Sequence, residues 1–387
     1  MTQRILTGRS TRTGQSLRVT VEDGRIAAIA PGPEDEAQWL SAGFIDLQVN
    51  GYCGLDLNAD TIDADLVVEL VRKLAETGVT TFVPTLITAP EEKIIAALCA
   101  IGEARKASWA AARAIPFVHV EGPHIAPEDG ARGAHPREWV RPPSVPEFER
   151  WQSAADGLVG MVTLSPHWEN AEEYIAALAA RGVRVAIGHT HATAEQIHAA
   201  AAAGATFSTH LGNGIAGTLP RHPNPIWAQL ADERLQATFI ADGHHLPADT
   251  LQAMVRAKGV EHSILISDSV ALAGMPPGIY DAPVGGRVEL SPDGRASVVG
   301  GDSVAGTGVL AGAVRSLKDG IAWAAASGAC SLGDAVRMAT EVPGRVAGER
   351  GLFRLTEPAD LIRFRLDTPA RTLRLDAVLV AGEEIPA

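Results

Sequence analysis

The chain has 387 residues, of which 46% are hydrophobic, with a formal net charge of −13; that is enough for one large domain plus a small one, and the negative balance argues against nucleic acid or an anionic membrane as partner. No run approaches the uncharged apolar length that crosses a bilayer, and the N-terminus MTQRILTGRSTRTGQ lacks an apolar signal core, so the reading is a soluble cytoplasmic protein. Cys53, Cys99 and Cys330 are too few and too scattered for a disulfide framework or a thiolate zinc site, and read as small buried hydrophobes.

The chain begins with strands. Residues 17–30, LRVTVEDGRIAAIA, alternate apolar and polar around Asp23-Gly24, a hairpin signal. Next comes GFIDLQV (43–49), then a helix in LVVELVRKLAETG, then TTFVP. PFVHVEG, GLVGMVTLSP, RVAIGHT, ATFSTHL, QATFIADG and SILISDS follow as further apolar strands. Helical stretches such as AEEYIAALAARG and AEQIHAAAAAG lie between them and stop at Gly. VELSPDGRASVVGGD reads as a surface hairpin about Asp293-Gly294, and the chain closes with ADLIRFRLD and LRLDAVLVAGEEI, again strands. Trp139, Trp151 and Trp168 fall in loop-like stretches and are assigned packing roles.

Strands alternating with helices imply parallel βαβ units. About eight over some 300 residues predict an α/β fold, a (β/α)8 TIM-like barrel, with a small β-sandwich domain built from both termini. The expected division is 1–42 and 349–387 for the small domain and 43–348 for the barrel. A doubly wound open sheet is the runner-up, without the GxGxxG of a dinucleotide-binding form.

The polar residues fall at strand ends. PFVHVEG closes near Glu121, RVAIGHT near His189, ATFSTHL near His210 and SILISDS near Asp268, while the first barrel strand carries Gln48 and Asn50. In a barrel these ends share one face. A lone histidine there is an ordinary hydrogen-bonded residue, but four such groups together are costly to bury unless paired or bound to metal. One Glu and two His with an open position suit a catalytic divalent ion, Zn²⁺ first, leaving Asp268 as proton shuttle. His119 shares Glu121's strand face and reads as supporting or core. His191 and His198, in the helix region after His189, read as solvent-exposed, and His222 and His262 as loop residues. One of His244 and His245 is expected to reach the site.

Taken together, GFIDLQVNG, ETGVTTFVPT, HVEGPHI, GARGAHP, IGHTHAT, THLGN, IADGHH, SDS and AVRMAT resemble the N-acetylglucosamine-6-phosphate deacetylases of the amidohydrolase superfamily over nearly the whole chain. The resemblance implies hydrolysis of the N-acetyl group of N-acetyl-D-glucosamine 6-phosphate. It implies Glu121, His189 and His210 as metal ligands and Asp268 as catalytic aspartate. His135, with Ala134 beside it, would meet the acetamide. Asn213 and Gly214 would bind substrate through backbone amides. Arg221 would reach the phosphate across a homodimer interface. His245 matches the histidine of the DGxH motif, and Val304, Ala305 and Gly306 would line the sugar. Where superfamily members with two metals carry His-x-His, this chain has Gln48-Val49-Asn50, so one metal per subunit is expected, with Gln48 near the metal-bound water. Zn²⁺ leads, with Fe²⁺, Co²⁺ or Mn²⁺ as alternatives.

The chain departs from the family at Gly212-Asn213-Gly214-Ile215, at RHPNPIW and at TLSPHWEN. The first two lie near the sugar and phosphate pocket. They keep open a deacetylase for N-acetylgalactosamine 6-phosphate or an unphosphorylated sugar. A non-catalytic sugar-phosphate binder has no use for Asp268, and a deaminase or cyclic-amide hydrolase usually needs His-x-His.

Overall fold

The structure is a computed structural model describing residues 3–282, 286–299, 310 and 312–385. Eight strands pair in chain order into one parallel sheet: Phe44–Val49, Val79–Ile87, Val118–Glu121, Val159–Leu164, Arg184–Ile187, Phe207–Ser208, Gln236–Ile240 and Ser263–Ile266. They are called barrel strands one to eight below. Strands one and two are buried at every position, as befits parallel strands covered on both faces. The sheet closes on itself through the parallel bridge Val49–Ser269, with Asp268 N donating to Gln48 O at 3.0 Å and Asn50 N to Ser269 O at 2.8 Å. This is the expected barrel.

Apolar side chains fill the barrel interior, among them Val83, Phe117, Met161, Phe207, Ile240 and Ile264. A second, larger core lies between strands and helices. The strand period of two lines up Phe117, His119 and Glu121 on one inward face, so an apolar floor leads up to a polar rim. Helices follow the strands. Ala64–Ala75 starts where Asp63 accepts from Leu66 N. Ala194–Ala203 starts at a Thr193/Gln196 capping box and stops at Gly204, φ 119°. Leu317–Ala326, Leu332–Arg337 and Glu341–Val346 follow strand eight. No helix among the described residues is long and apolar enough to cross a membrane.

The chain ends meet in a separate seven-stranded sheet, ordered Glu383–Glu384, Thr372–Val380, Leu361–Asp367, Trp39–Ala42, Gln3–Ser10, Ser16–Glu22, Arg25–Pro31. Trp39–Ala42 joins the two ends, parallel to Gln3–Ser10 and antiparallel to Leu361–Asp367. Asp23 and Gly24, both at positive φ, turn the predicted hairpin. Leu6, Val19, Val21, Ile26, Leu40, Leu361 and Leu379 form its core.

Four readings change. Cys99 is exposed and Cys53 and Cys330 are only half-buried, so the cysteines are not buried hydrophobes. The segment after strand eight is a three-stranded sheet, Gly278–Ala282, Gly286–Leu290 and Ala296–Val298, with its own core of Leu272, Val288, Leu290, Ala296 and Val314. At its tip Asp293 O accepts from Arg315 and from His244 Nε2, so it is more than a surface hairpin. Trp151 is buried on the helix Val145–Ala154 and stacks on His124, because a polar-looking stretch hid a helical stripe. Trp139 sits in a 3-10 turn, 41% exposed rather than packed. Trp168 does pack, donating Nε1–H to His124 O.

Candidate metal centre and substrate cavity

Glu121 ends strand three; His189, His210 and Asp268 lie two residues beyond the ends of strands five, six and eight. The last three take left-handed backbone, with φ of 46°, 30° and 50°. Such turns are uncommon outside glycine and fold each side chain over the barrel mouth. Glu121 Oε1 lies 2.9 Å from His210 Nε2 and 3.4 Å from His189 Nε2. Among the described residues this is the trio whose ligand atoms lie within 4.8 Å of one another, all three buried. Burial alone would raise the Glu121 carboxyl; contacts with His189 and His210 overcome it and hold it well below the usual range. His189 Nδ1 donates to Ala131 O at 3.0 Å, which leaves Nε2 as the lone-pair nitrogen facing Glu121. A buried ionised carboxylate with two imidazole nitrogens, one oriented by a backbone carbonyl, is a donor set that fits a divalent ion.

Asp268 stands beside the trio. Its Oδ1 accepts from Gln48 Nε2 at 3.0 Å and Asn50 Nδ2 at 2.8 Å, and Gln48 Nε2 also lies 3.0 Å from Glu121 Oε1. Burial first, then the Glu121 charge, raises Asp268 to about 6. His135 Nε2 lies 3.9 Å from Glu121 Oε2, and its Nδ1 pairs with Thr88 Oγ1 at 2.8 Å. Burial, then His189, lowers His135 to about 3, so its ring is neutral. His119 is buried below, 2.7 Å from Thr163 Oγ1, and burial takes it down to about 4. It supports the floor and is outside the ligand trio.

These groups open into a cavity of about 300 Å³ that Ala134, His135, Asn213, Gly214 and His245 also line. Gly214 has φ 56°, and a Cβ there would meet His189 Nδ1 at 2.8 Å, so this departure from the family pattern packs directly on a trio member. His245 Nδ1 is held by Asp242 Oδ2 at 2.7 Å, and Asp242 Oδ1 accepts from His244 N and His245 N at 2.8 Å each. Sequence reasoning quoted Asp242 in its motif without a role and passed over Thr88; their spacing from a histidine carries no signal until the loops fold.

Other expectations land away from the cavity. Arg221 is exposed in the loop after strand six and does not line it. Val304, Ala305 and Gly306 lie outside the described residues. His191 precedes its helix, partly buried, with Nδ1 2.8 Å from Glu128; His198 is more exposed.

An eight-stranded parallel barrel whose strand ends converge on a carboxylate–imidazole trio and an adjacent carboxylate has the architecture of a barrel hydrolase. The amidohydrolase family model matches residues 39–385, and the chain belongs to the amidohydrolase family. The N-acetylgalactosamine-6-phosphate deacetylase of Escherichia coli O157:H7 is 32% identical over 361 residues, covering 92% of this chain and 91% of its own. The N-acetylglucosamine-6-phosphate deacetylase of Vibrio furnissii is 34% identical, covering 82% and 78%. The crystal structure of N-acetyl-D-glucosamine-6-phosphate deacetylase from Mycobacterium smegmatis superposes with a TM-score of 0.86 at 29% identity, over 99% of this chain and 100% of that one.

Proposed function

We propose that this protein hydrolyses N-acetyl-D-glucosamine 6-phosphate to D-glucosamine 6-phosphate and acetate. The observation that carries the reading is Asp268 standing beside the buried Glu121–His189–His210 trio in one cavity. The relatives named above supply the substrate class.

In this reading Glu121, His189 and His210 hold one divalent ion, Zn²⁺ first. Bound there, such an ion supplies Lewis acidity to the amide carbonyl and to water. Asp268 takes a proton from the attacking water as its oxygen bonds to the carbonyl carbon. It returns that proton to the sugar nitrogen as the C–N bond breaks, acting as base and then acid. Gln48, whose Nε2 reaches both Glu121 Oε1 and Asp268 Oδ1, would stand near a water held by such an ion. Neutral His135, when Thr88 donates to its Nδ1, carries its proton on Nε2 and offers it to the carbonyl oxygen as charge develops. Asn213 and Gly214 amides and His245, fixed by Asp242, hold the phosphorylated end, and remote binding of this kind orients the reacting centre. Arg221, exposed and off its own cavity, reaches the phosphate of a partner copy, so the working form is a homodimer.

A second reading, N-acetylgalactosamine 6-phosphate, is favoured by the Escherichia coli relative. A panel of both epimers, with and without the 6-phosphate, scored for acetate on Zn²⁺-loaded protein, tests the pair. The expected order puts the glucosamine 6-phosphate derivative first. Faster turnover of the C4 epimer selects the second reading, and sugar-phosphate binding with no acetate leaves only a binder. Asp268→Asn should lose about 10²–10⁴-fold in kcat. Parental turnover in that variant would remove Asp268 from proton transfer.

A further inference from the structure

Asn50 has no role in the reading above, yet among the described residues it makes the shortest side-chain hydrogen bond to the proton carrier. Its Nδ2 lies 2.8 Å from Asp268 Oδ1, and Gln48 Nε2 approaches the same oxygen at 3.0 Å. A carboxylate oxygen only accepts, so both amides must present N–H. Among the described residues nothing donates to Asp268 Oδ2. The backbone is held from the same strand, because Asp268 N donates to Gln48 O at 3.0 Å across the barrel closure. Strand one therefore fixes both the left-handed turn and the plane of the carboxylate.

We propose that Asn50 is a positioning residue: with Gln48 it holds Asp268 by Oδ1, so that proton transfer runs through Oδ2. Two N–H donors on one oxygen occupy its lone pairs and leave the basic site on the other. A carboxylate free to rotate would present either oxygen, and one held by a single donor would swing about that bond. Two donors two residues apart, Gln48 in strand one and Asn50 just past its end, remove that freedom. This deepens the deacetylase reading and rests on it.

A second observation favours function over packing. Asn50 is 6% exposed, and its own Oδ1 is buried with no hydrogen-bond partner among the described residues. An unsatisfied buried acceptor is a standing cost to stability. A residue kept only to close the barrel would be better served by an apolar side chain.

The test compares Asn50→Ala with Asn50→Asp, each assayed with one equivalent of metal beside the parent. Asn50→Ala should lower kcat by about 10–100-fold, with KM within about twofold of the parent because ground-state binding is untouched. Metal content and Tm should hold. Asn50→Asp keeps the shape but sets a second carboxylate against Asp268, and should be slower than Asn50→Ala. A packing role predicts the reverse order, since the isosteric variant fills the space. The proposal is overturned if Asn50→Asp outperforms Asn50→Ala, if Asn50→Ala keeps parental kcat, or if its loss of kcat follows a loss of Tm or metal. If the parent releases no acetate from any sugar phosphate, the deacetylase reading has failed instead. The crystal structure of Asn50→Ala then tests the clamp alone: a rotated Asp268 carboxylate supports it, and an unmoved one overturns it.

Discussion

Left-handed backbone at His189, His210 and Asp268 costs on the order of 1–3 kcal/mol each, and each turn is tied down locally. His210 N donates to Thr238 Oγ1 at 2.7 Å, His189 O accepts from Ala126 N at 2.9 Å, and Asp268 N is bound to strand one. Asp46 braces the last turn from below: its Oδ1 accepts from Ser267 N at 3.1 Å and Gln48 N at 3.3 Å. Burial raises this carboxyl from 3.8 to about 7. Between those values the folded chain keeps a proton that the unfolded chain has lost, so this group's contribution to stability falls as pH rises through the window. Asp46→Asn retains the accepting oxygen and removes the ionisation. Its Tm should gain on the parent between pH 5 and pH 7.5, at roughly 1.4 kcal/mol per pH unit at most. Parallel Tm curves for variant and parent would show that Asp46 does not titrate there. At this scale the buried trio and its neighbouring carboxylate were legible, because Glu121, His189, His210 and Asp268 each close an apolar run. Thr88 and Asp242 were not, and Asn50 was placed at its strand end without its partner, because each meets a partner that only the fold supplies.

The loop after strand seven shows what an element must do to hold a site residue. Asp242, Gly243, His244 and His245 turn sharply, with Gly243 at φ 80°, and a Cβ on Gly243 would stand 2.4 Å from Trp323 Nε1 on the helix Leu317–Ala326. Glycine is required there twice over, by backbone sign and by the approach of the indole. Gly243→Ala should displace His245 and raise KM for the 6-phosphate substrate by about tenfold or more, with metal content unchanged; KM within twofold of the parent would detach this loop from phosphate binding. Strand identity was readable at this scale because an apolar run bounded by Gly and polar residues is a local pattern. The helix around Trp151 was missed because Val145, Phe148 and Trp151 supply a stripe too short and too interrupted by charge to stand out.

Across the whole molecule, one sheet ties the two ends of the chain together and another closes the barrel beneath the site. Because the Glu121–His189–His210 contacts exist within the protein itself, chelation should leave it folded but less stable. Binding at a thousandfold over Kd is worth about 4 kcal/mol, so Tm should fall on chelation and return with Zn²⁺, together with acetate release; an unchanged Tm would argue that the trio holds no ion. The proposed homodimer makes a separate demand. Protomers carrying Asp268→Asn and protomers carrying Arg221→Ala, each impaired alone, should recover up to about a quarter of parental activity when mixed and allowed to exchange, since random pairing gives one intact site in every four. No recovery would mean that Arg221 serves no neighbouring site.

By itself the sequence determined the barrel, its attendant sheet and the chemistry offered at the strand ends, because period, turn residues and strand-closing side chains are written within a few positions of one another. Only the tertiary structure decided how that chemistry is aimed. Asn50 and Asp268 are 218 positions apart, and Gln48 lies 73 from Glu121. The first pair meets only when strand eight returns to strand one and the second only when strand two sets strand three beside it, and no local pattern records which oxygen of a carboxylate that closure leaves free.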